Sequence, residues 1–268
     1  MKKVKDFIAQ GQLQMAKEWL EQLLKDDPLS MELRSVFVEL LCVMGELDKA
    51  DQQLDMMVRQ HPDCLLGAVN LRHLIRAQTA RLDFYQGGAT ATLFHEPDSS
   101  FETLLSLLMS LREGDVSNAE RHAQELEALR EPVQLHFNQQ QDVTVLRDLD
   151  DSLCGYLELL GTDGKFYLVK FNEIESLELK PVSSIVEMAW RRVNIAVKNG
   201  PNGEAFLPVC YPQSSSELCK IGKETDWQEH SDYLVTGLGQ KMLLVNDEAV
   251  PISQLQQMHM DTAVTEQG

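Results

Sequence analysis

The chain has 268 residues, 43% of them hydrophobic and 25% charged, which fits one or two globular domains with a substantial core. Its 42 acidic residues outnumber 24 basic ones, and the formal net charge of −18 argues against a nucleic-acid partner, since phosphate binding relies on clustered basic charge. The sequence shows neither an apolar run long enough to span a membrane nor the apolar core of a signal peptide, and its five cysteines are odd in number. We therefore expect a cytoplasmic protein with reduced cysteines and no contact with membranes.

A repeat of 34 residues organises the first part of the chain. Residues 11–16 and 45–50 both carry Gly, Leu and Ala at the first, third and sixth positions, and residues 114–119 form a third copy with Val in place of Leu. The same shift relates Pro28 to Pro62. The Gly allows a turn between two helices, the Ala allows their close approach, and the Pro ends one helix and begins the next. This period and these landmarks are typical of tetratricopeptide repeats.

Apolar residues at helical spacing predict helices around these landmarks. The segment 86–100, which contains two Gly and a Pro, is predicted to be a loop that interrupts the array. The predicted helices cover residues 29–44, 47–60, 64–85, 101–112 and 116–130.

After Pro132 the apolar pattern changes to short segments typical of β-strands. Residues 153–160 and 165–171 flank a Thr-Asp-Gly turn and predict a hairpin, and further strands are predicted at 194–198, 205–210, 233–236 and 241–245. The fold class is therefore α+β, with tetratricopeptide-like repeats followed by a small sheet or partly open barrel. The predicted division is a helical domain at 1–131, a linker at 132–142, a β-rich domain at 143–258 and a flexible tail at 259–268.

The repeats predict a concave surface that could hold a peptide. In such arrays the first helix of each pair lines this surface, and a mixture of apolar and charged side chains suits an amphipathic helix. The candidate groove residues are Glu32, Ser35, Glu39, Val69, His73, Arg76, Leu104 and Leu108. For Leu104 and Leu108 the alternative is burial in the core, because the loop at 86–100 could distort the array.

Catalytic patterns are weak throughout the sequence. Asp148, Asp150 and Asp151 could offer oxygen ligands to a cation, but they lack the glycine and distal Glu of a calcium loop. We favour a structural role for them, because Asp is common at turns before strands. Paired His or Cys ligands, a nucleophile elbow and a phosphate-binding loop are all missing from the sequence. We expect no cofactor, no resident metal and no catalysis. The alternative is a small-molecule or metal-binding enzyme or sensor with its site near Asp151, Asp226 and Gln240.

Several motifs of the second half resemble one family. In order they are residues 148–151 (Asp-Leu-Asp-Asp), 188–192 (Met-Ala-Trp-Arg-Arg), 204–208 (Glu-Ala-Phe-Leu-Pro), 222–227 and 237–241. Following N-terminal tetratricopeptide-like repeats, this ordered set of motifs resembles the ImpE/SciE/TagJ proteins of type VI secretion gene clusters. Lys223 and Lys241 depart from the family pattern, where Arg is expected. The motif positions without an assigned role are Asp148, Asp150, Asp151, Trp190, Arg191, Pro208, Asp226, Trp227 and Gln240. We expect Trp227 to plug a small core, with an exposed partner anchor as the alternative, and Lys241 to pair with Asp226.

The resemblance implies a non-catalytic accessory protein of the secretion machine. It implies an adaptor that engages the N-terminal helix of the small contractile-sheath subunit. That role would place the protein near the ClpV-type AAA+ ATPase, which recycles the sheath.

Overall fold

The structure is a computed structural model and describes residues 2–260. Seven α-helices occupy the first half of this range; each helix from α1 to α5 packs against the next, and α6 packs against α7. Their bounds are α1 Lys2–Ala9, α2 Leu13–Asp26, α3 Met31–Met44, α4 Leu47–Gln60, α5 Leu65–Gln86, α6 Ser99–Glu113 and α7 Val116–Ala128.

The repeat landmarks have the mechanical roles that the sequence assigned to them. Gly45 and Gly114 follow α3 and α6 with φ angles of 80° and 72°, in the left-handed region that favours glycine at a helix end. Ala16, Ala50 and Ala119 are fully buried where neighbouring helices meet. The tetratricopeptide-like helical region is therefore confirmed.

The second half is built almost entirely of short antiparallel strands, with one short helix, α8, at Glu217–Lys220. The strands are β1 Leu135–Phe137, β2 Gln140–Val143, β3 Leu146–Asp148, β4 Tyr156–Gly161, β5 Phe166–Lys170, β6 Ile174–Leu179, β7 Trp190–Val197, β8 Asn202–Pro208, β9 Thr225–Ser231, β10 Leu234–Gly239, β11 Met242–Val245, β12 Glu248–Pro251 and β13 Gln257–Met260.

Eight strands form one open sheet in the order β2-β1-β13-β6-β7-β8-β4-β5. A three-stranded sheet, β12-β11-β3, and the β9–β10 hairpin complete the region. Because β2 and β5 lie at opposite edges of the large sheet, it is open and does not close into a barrel. The α+β fold class is confirmed, with open sheets.

Strand pairing between residues distant in sequence extends the β region beyond its predicted bounds. Residues 132–142, predicted to be a linker, contain β1 and most of β2. His259, predicted to lie in the flexible tail, belongs to β13 and pairs with His136 of β1 and with Ser176 of β6. Residues 261–268 of that predicted tail lie outside the described residues.

The helical and β regions share one apolar core. Phe84 of α5 lies 5.6 Å, centroid to centroid, from the ring of Phe166 in β5, and Thr92 of the predicted loop pairs with Tyr167 beside it. A second core lies within the sheets themselves. Over residues 2–260, none of the helices is long and apolar enough to cross a membrane.

Candidate functional site

A large cleft lies between the helical and β regions, with a volume of about 980 Å³. Glu32, Ser35, Val36 and Glu39 line it from α3, because their spacing places them on one face of that helix. Its helical wall continues with apolar side chains from the next two helices, Leu54 and Met57 of α4 and Ala68, Leu71 and Leu74 of α5.

The opposite wall of the cleft comes from the β region. Arg192 of β7 and Glu204 and Phe206 of β8 line it, together with the segment 183–187 that leads into β7. We call this space the interdomain cleft.

The segment 183–187 is tied to the helical wall through Glu39. One carboxylate oxygen of Glu39, Oε2, accepts hydrogen bonds from the backbone N–H groups of Ile185 (2.7 Å) and Val186 (3.2 Å). Burial raises the pKa of Glu39, although these bonds act in the opposite direction. Glu39 therefore faces the cleft but already has partners within the chain.

The groove residues predicted on α5, Val69, His73 and Arg76, lie outside the interdomain cleft. The turn between β4 and β5 packs against this part of α5. One ring nitrogen of His73 lies 2.8 Å from the carbonyl oxygen of Thr162, and Gly164 packs against His73 and Arg76. Val69 and Arg76 remain exposed at the surface. Ala68, Leu71 and Leu74, on the adjacent face of α5, line the cleft in their place.

Leu104 and Leu108 of α6 do not line the interdomain cleft. Leu104 is 1% exposed and Leu108 is 6% exposed, and both belong to the core that the helices share with the β region. The groove assignment for these two residues is therefore corrected: they pack inward, which was the alternative considered for them.

A buried cluster of charges joins α5 to the β region at a different place. The Arg81 guanidinium donates to both carboxylate oxygens of Glu158 at 2.7 Å and to the carbonyl oxygen of Cys210 at 2.8 Å. Lys241 Nζ lies 2.6 Å from Glu158 Oε2 and 3.5 Å from Asp148 Oδ2. Burial alone would raise the pKa of Glu158, but Arg81 and Lys241 outweigh it and lower that pKa to about 2. Tyr85 Oη donates a hydrogen bond to Glu158 Oε1 at 2.9 Å. We call Arg81, Tyr85, Asp148, Glu158 and Lys241 the charge cluster.

The three aspartates of residues 148–151 hold the chain in place. Asp148 Oδ1 accepts hydrogen bonds from Tyr211 Oη (2.7 Å) and from the backbone N–H of Asp150 (2.9 Å). Asp150 accepts from Ser152 and from the backbone N–H of Gly237, and Asp151 accepts from Arg147 and from the backbone N–H of Val235. Burial, reinforced by the neighbouring Asp148, raises the pKa of Asp150 to about 7. Within residues 2–260, no group of three or more His, Cys, Asp and Glu is arranged to hold a metal ion.

The remaining motif positions contact their neighbours along the β strands. Trp190 is 3% exposed, stands opposite Pro208 in the β7–β8 pair, and is followed by Arg191, which donates to the carbonyl oxygen of Lys180 at 2.9 Å. Trp227 is 36% exposed, with its ring centroid 6.1 Å from that of Tyr211. The expectation that Trp227 plugs a small core is therefore wrong, because its side chain lies at the surface beside Tyr211.

The alternative ligand site near Asp151, Asp226 and Gln240 is spread along β10. Asp151 bonds to Val235, whereas Asp226 accepts a hydrogen bond from the backbone N–H of Trp227 and stands opposite Leu238. Gln240 uses its backbone to bind Glu224 and Thr225. Lys241, expected to pair with Asp226, pairs with Glu158 and Asp148 of the charge cluster.

Comparisons with known proteins cover both regions of the chain. Residues 7–68 match the model of the tetratricopeptide repeat, and residues 140–259 match that of the ImpE protein. The crystal structure of a Vibrio parahaemolyticus protein superimposes with a TM-score of 0.93, at 36% identity over 98% of each chain. The type VI secretion system accessory component TagJ of Pseudomonas aeruginosa is 23% identical over 231 residues, which are 83% of this chain and 79% of TagJ. The chain belongs to the ImpE/TagJ family.

In this ImpE/TagJ family member the interdomain cleft draws on both matched regions. Glu32 and Glu39 lie within the tetratricopeptide match, and Arg192 and Glu204 lie within the ImpE match. The sequence analysis assigned only the helical wall to a groove, although Arg192 and Glu204 lie in the family motifs at 188–192 and 204–208.

Sequence reasoning also missed Arg81, Tyr85 and Glu158. A signal for Glu158 exists, because it is the one charged residue of β4, whose six residues are all buried. A strand that is apolar on both faces is buried on both, so a carboxylate in it loses its hydration and needs a partner of opposite charge. The sequence around Glu158 therefore predicts a buried cation nearby. Nothing in the helical pattern of α5 identifies Arg81 as that cation.

Proposed function

We propose that this protein is a non-catalytic accessory protein of a type VI secretion system and acts in the cytoplasm as an adaptor. Its partner in this proposal is the N-terminal helix of the small contractile-sheath subunit, which binds in the interdomain cleft. This places the adaptor near the ClpV-type ATPase that recycles the sheath. The similarity to an accessory component of such a system supports the proposal.

The single observation that carries the binding mode is the shape and lining of the interdomain cleft. A helix with its side chains is about 10–12 Å across, and peptide helices commonly bind by laying an apolar face into a groove. The cleft is lined by apolar side chains, among them Leu71, Leu74, Val186 and Phe206, and also by four carboxylates and one guanidinium. A lining that combines apolar and charged side chains suits an amphipathic helix.

Calorimetric titration with a peptide covering the N-terminal helix of the cognate sheath subunit tests this proposal. Saturable binding near the micromolar range, about −8 kcal/mol, is expected, with none for a scrambled peptide. Leu71→Gln should weaken binding about tenfold because Leu71 lines the cleft, whereas the matched Leu105→Gln, at a half-exposed α6 position outside it, should not. Equal affinities of the two variants would exclude the cleft as the binding site.

A further inference from the structure

The two walls of the interdomain cleft carry more negative than positive charge. Glu32 and Glu39 belong to the helical wall, and Glu187 and Glu204 to the β wall, against the single cation Arg192. With all four carboxylates ionised, these groups carry a formal charge of −3. A partner that brings the opposite charge would be favoured by this field.

The four carboxylates differ in how far they are already engaged. Glu39 accepts two backbone hydrogen bonds, and Glu187, 6% exposed, accepts from Ser183. Glu32, at the exposed start of α3, makes no side-chain hydrogen bond or ion pair with any described residue. Glu204 has only a distant contact, 3.9 Å, with Arg192, and 47% of its side chain is exposed. Glu32 and Glu204 are therefore the carboxylates available to a partner, one on each wall.

Glu204 stays available to a partner because the positive charge of Arg192 is shared between Glu187 and Glu204. The Nε of Arg192 lies 3.5 Å from Glu187 Oε1, and this buried nitrogen has no hydrogen-bond partner among the described residues. One guanidinium between two carboxylates cannot neutralise both of them, so the β wall keeps a net negative charge.

Resting on the function proposed above, we propose that the interdomain cleft selects a basic amphipathic helix, with Glu32 and Glu204 pairing with Lys or Arg side chains on the two flanks of its apolar stripe. The β wall thereby becomes part of the recognition surface. Its role is to supply the second carboxylate, which the helical repeats alone do not provide.

Charge reversals on the two walls test this inference with the sheath-helix peptide. Glu32→Lys and Glu204→Lys should each weaken binding about tenfold at low ionic strength, and the loss should shrink as salt rises because salt screens exposed charges. Glu102→Lys is the matched control, since Glu102 is also an exposed acidic residue in the first turn of a helix but lies outside the cleft. Thermal unfolding of each variant confirms that it remains folded.

The outcomes separate this inference from the function on which it rests. A loss with Glu32→Lys and none with Glu204→Lys would leave the helical groove as the binding site and overturn the role of the β wall. Tighter binding by either variant would show an acidic partner surface and would also overturn the inference.

If the sheath-helix peptide does not bind at all, the proposed partner is wrong, and two designed helices still test the chemistry of the cleft. They share one apolar stripe and carry either Lys or Glu on both flanks. Preferential binding of the Lys form, lost in Glu204→Lys, would support the inference. Equal binding of both forms would overturn it.

Discussion

Two of the places where the helical and β regions meet differ in how their charges are paired. In the charge cluster, Arg81 and Lys241 face Glu158 and Asp148. All four residues are at most 2% exposed, and both cations bond to Glu158. In the interdomain cleft, carboxylates outnumber cations, and Glu32 and Glu204 remain exposed.

The comparison separates charges that hold the fold from charges that are free to bind. A buried charge is tolerated only where partners compensate for its lost hydration, so every member of the charge cluster depends on the others. An exposed carboxylate keeps its hydration and can exchange water for a partner's cation at small cost. The same residue type, glutamate, therefore has a structural role at Glu158 and a proposed binding role at Glu204.

The largest expected effect comes from removing the carboxylate of the charge cluster. Glu158→Gln leaves Arg81 and Lys241 buried without their shared anion, and loss of one partner of a buried ion pair costs about 3–5 kcal/mol. Glu204→Gln, the same change at an exposed position, should alter the free energy of unfolding by no more than about 0.5 kcal/mol. Urea denaturation measures both, and similar midpoints for the two variants would contradict the comparison.

A second prediction concerns pH and Asp150, which lies beside the charge cluster. Its pKa is raised to about 7 in the folded protein, so between about pH 4 and 7 the folded state keeps a proton that the unfolded chain releases. This group therefore stabilises the fold at low pH, and its contribution is lost as the pH rises through 7. Glu158, with its pKa lowered to about 2, acts in the opposite direction and loses its contribution only as the pH falls from about 4.5 towards 2.

Denaturation of the wild type and of Asp150→Asn at several pH values isolates the Asp150 contribution. The stability advantage of the wild type over the variant should fall by a few kcal/mol between pH 4 and 7, because asparagine does not titrate. A constant difference across this range would show that Asp150 is ionised throughout and that its three hydrogen-bond donors outweigh burial.

The elements that the sequence predicts well are those set by local chemistry. The helix predicted at 47–60 has the same bounds as α4, because a Gly precedes it and a Pro follows it within two residues. The turn at 162–164 joins β4 and β5 as predicted, with Gly164 at a φ of 86°. Both features depend on backbone preferences within a few residues.

The elements that the sequence missed depend on contacts between distant residues. The pairing of β1 with β13 joins residues more than 100 positions apart, so nothing local marks 135–137 as a strand. The predicted groove residues of α3 line the interdomain cleft. On α5, His73 contacts the β4–β5 turn and Val69 and Arg76 are exposed outside the cleft, while Leu104 and Leu108 of α6 enter the shared core. The repeat pattern identifies the helical wall; the β wall becomes apparent only when the two regions pack together.

The smallest expected effect tests whether Glu39 stabilises the fold or binds the partner, since Glu39 lines the interdomain cleft yet has hydrogen-bond partners within the chain. Glu39→Gln keeps an oxygen that can accept from Ile185 and Val186, so its cost should stay below about 0.5 kcal/mol. Glu39→Ala leaves both N–H groups without an acceptor and should cost about 1 kcal/mol, because water from the cleft can replace the carboxylate only in part. If Glu39→Gln binds the sheath-helix peptide as the wild type does and Glu39→Ala binds it more weakly, Glu39 acts by holding the segment 183–187. Equal loss of binding in both variants, with unchanged stability, would instead make its charge part of the partner site.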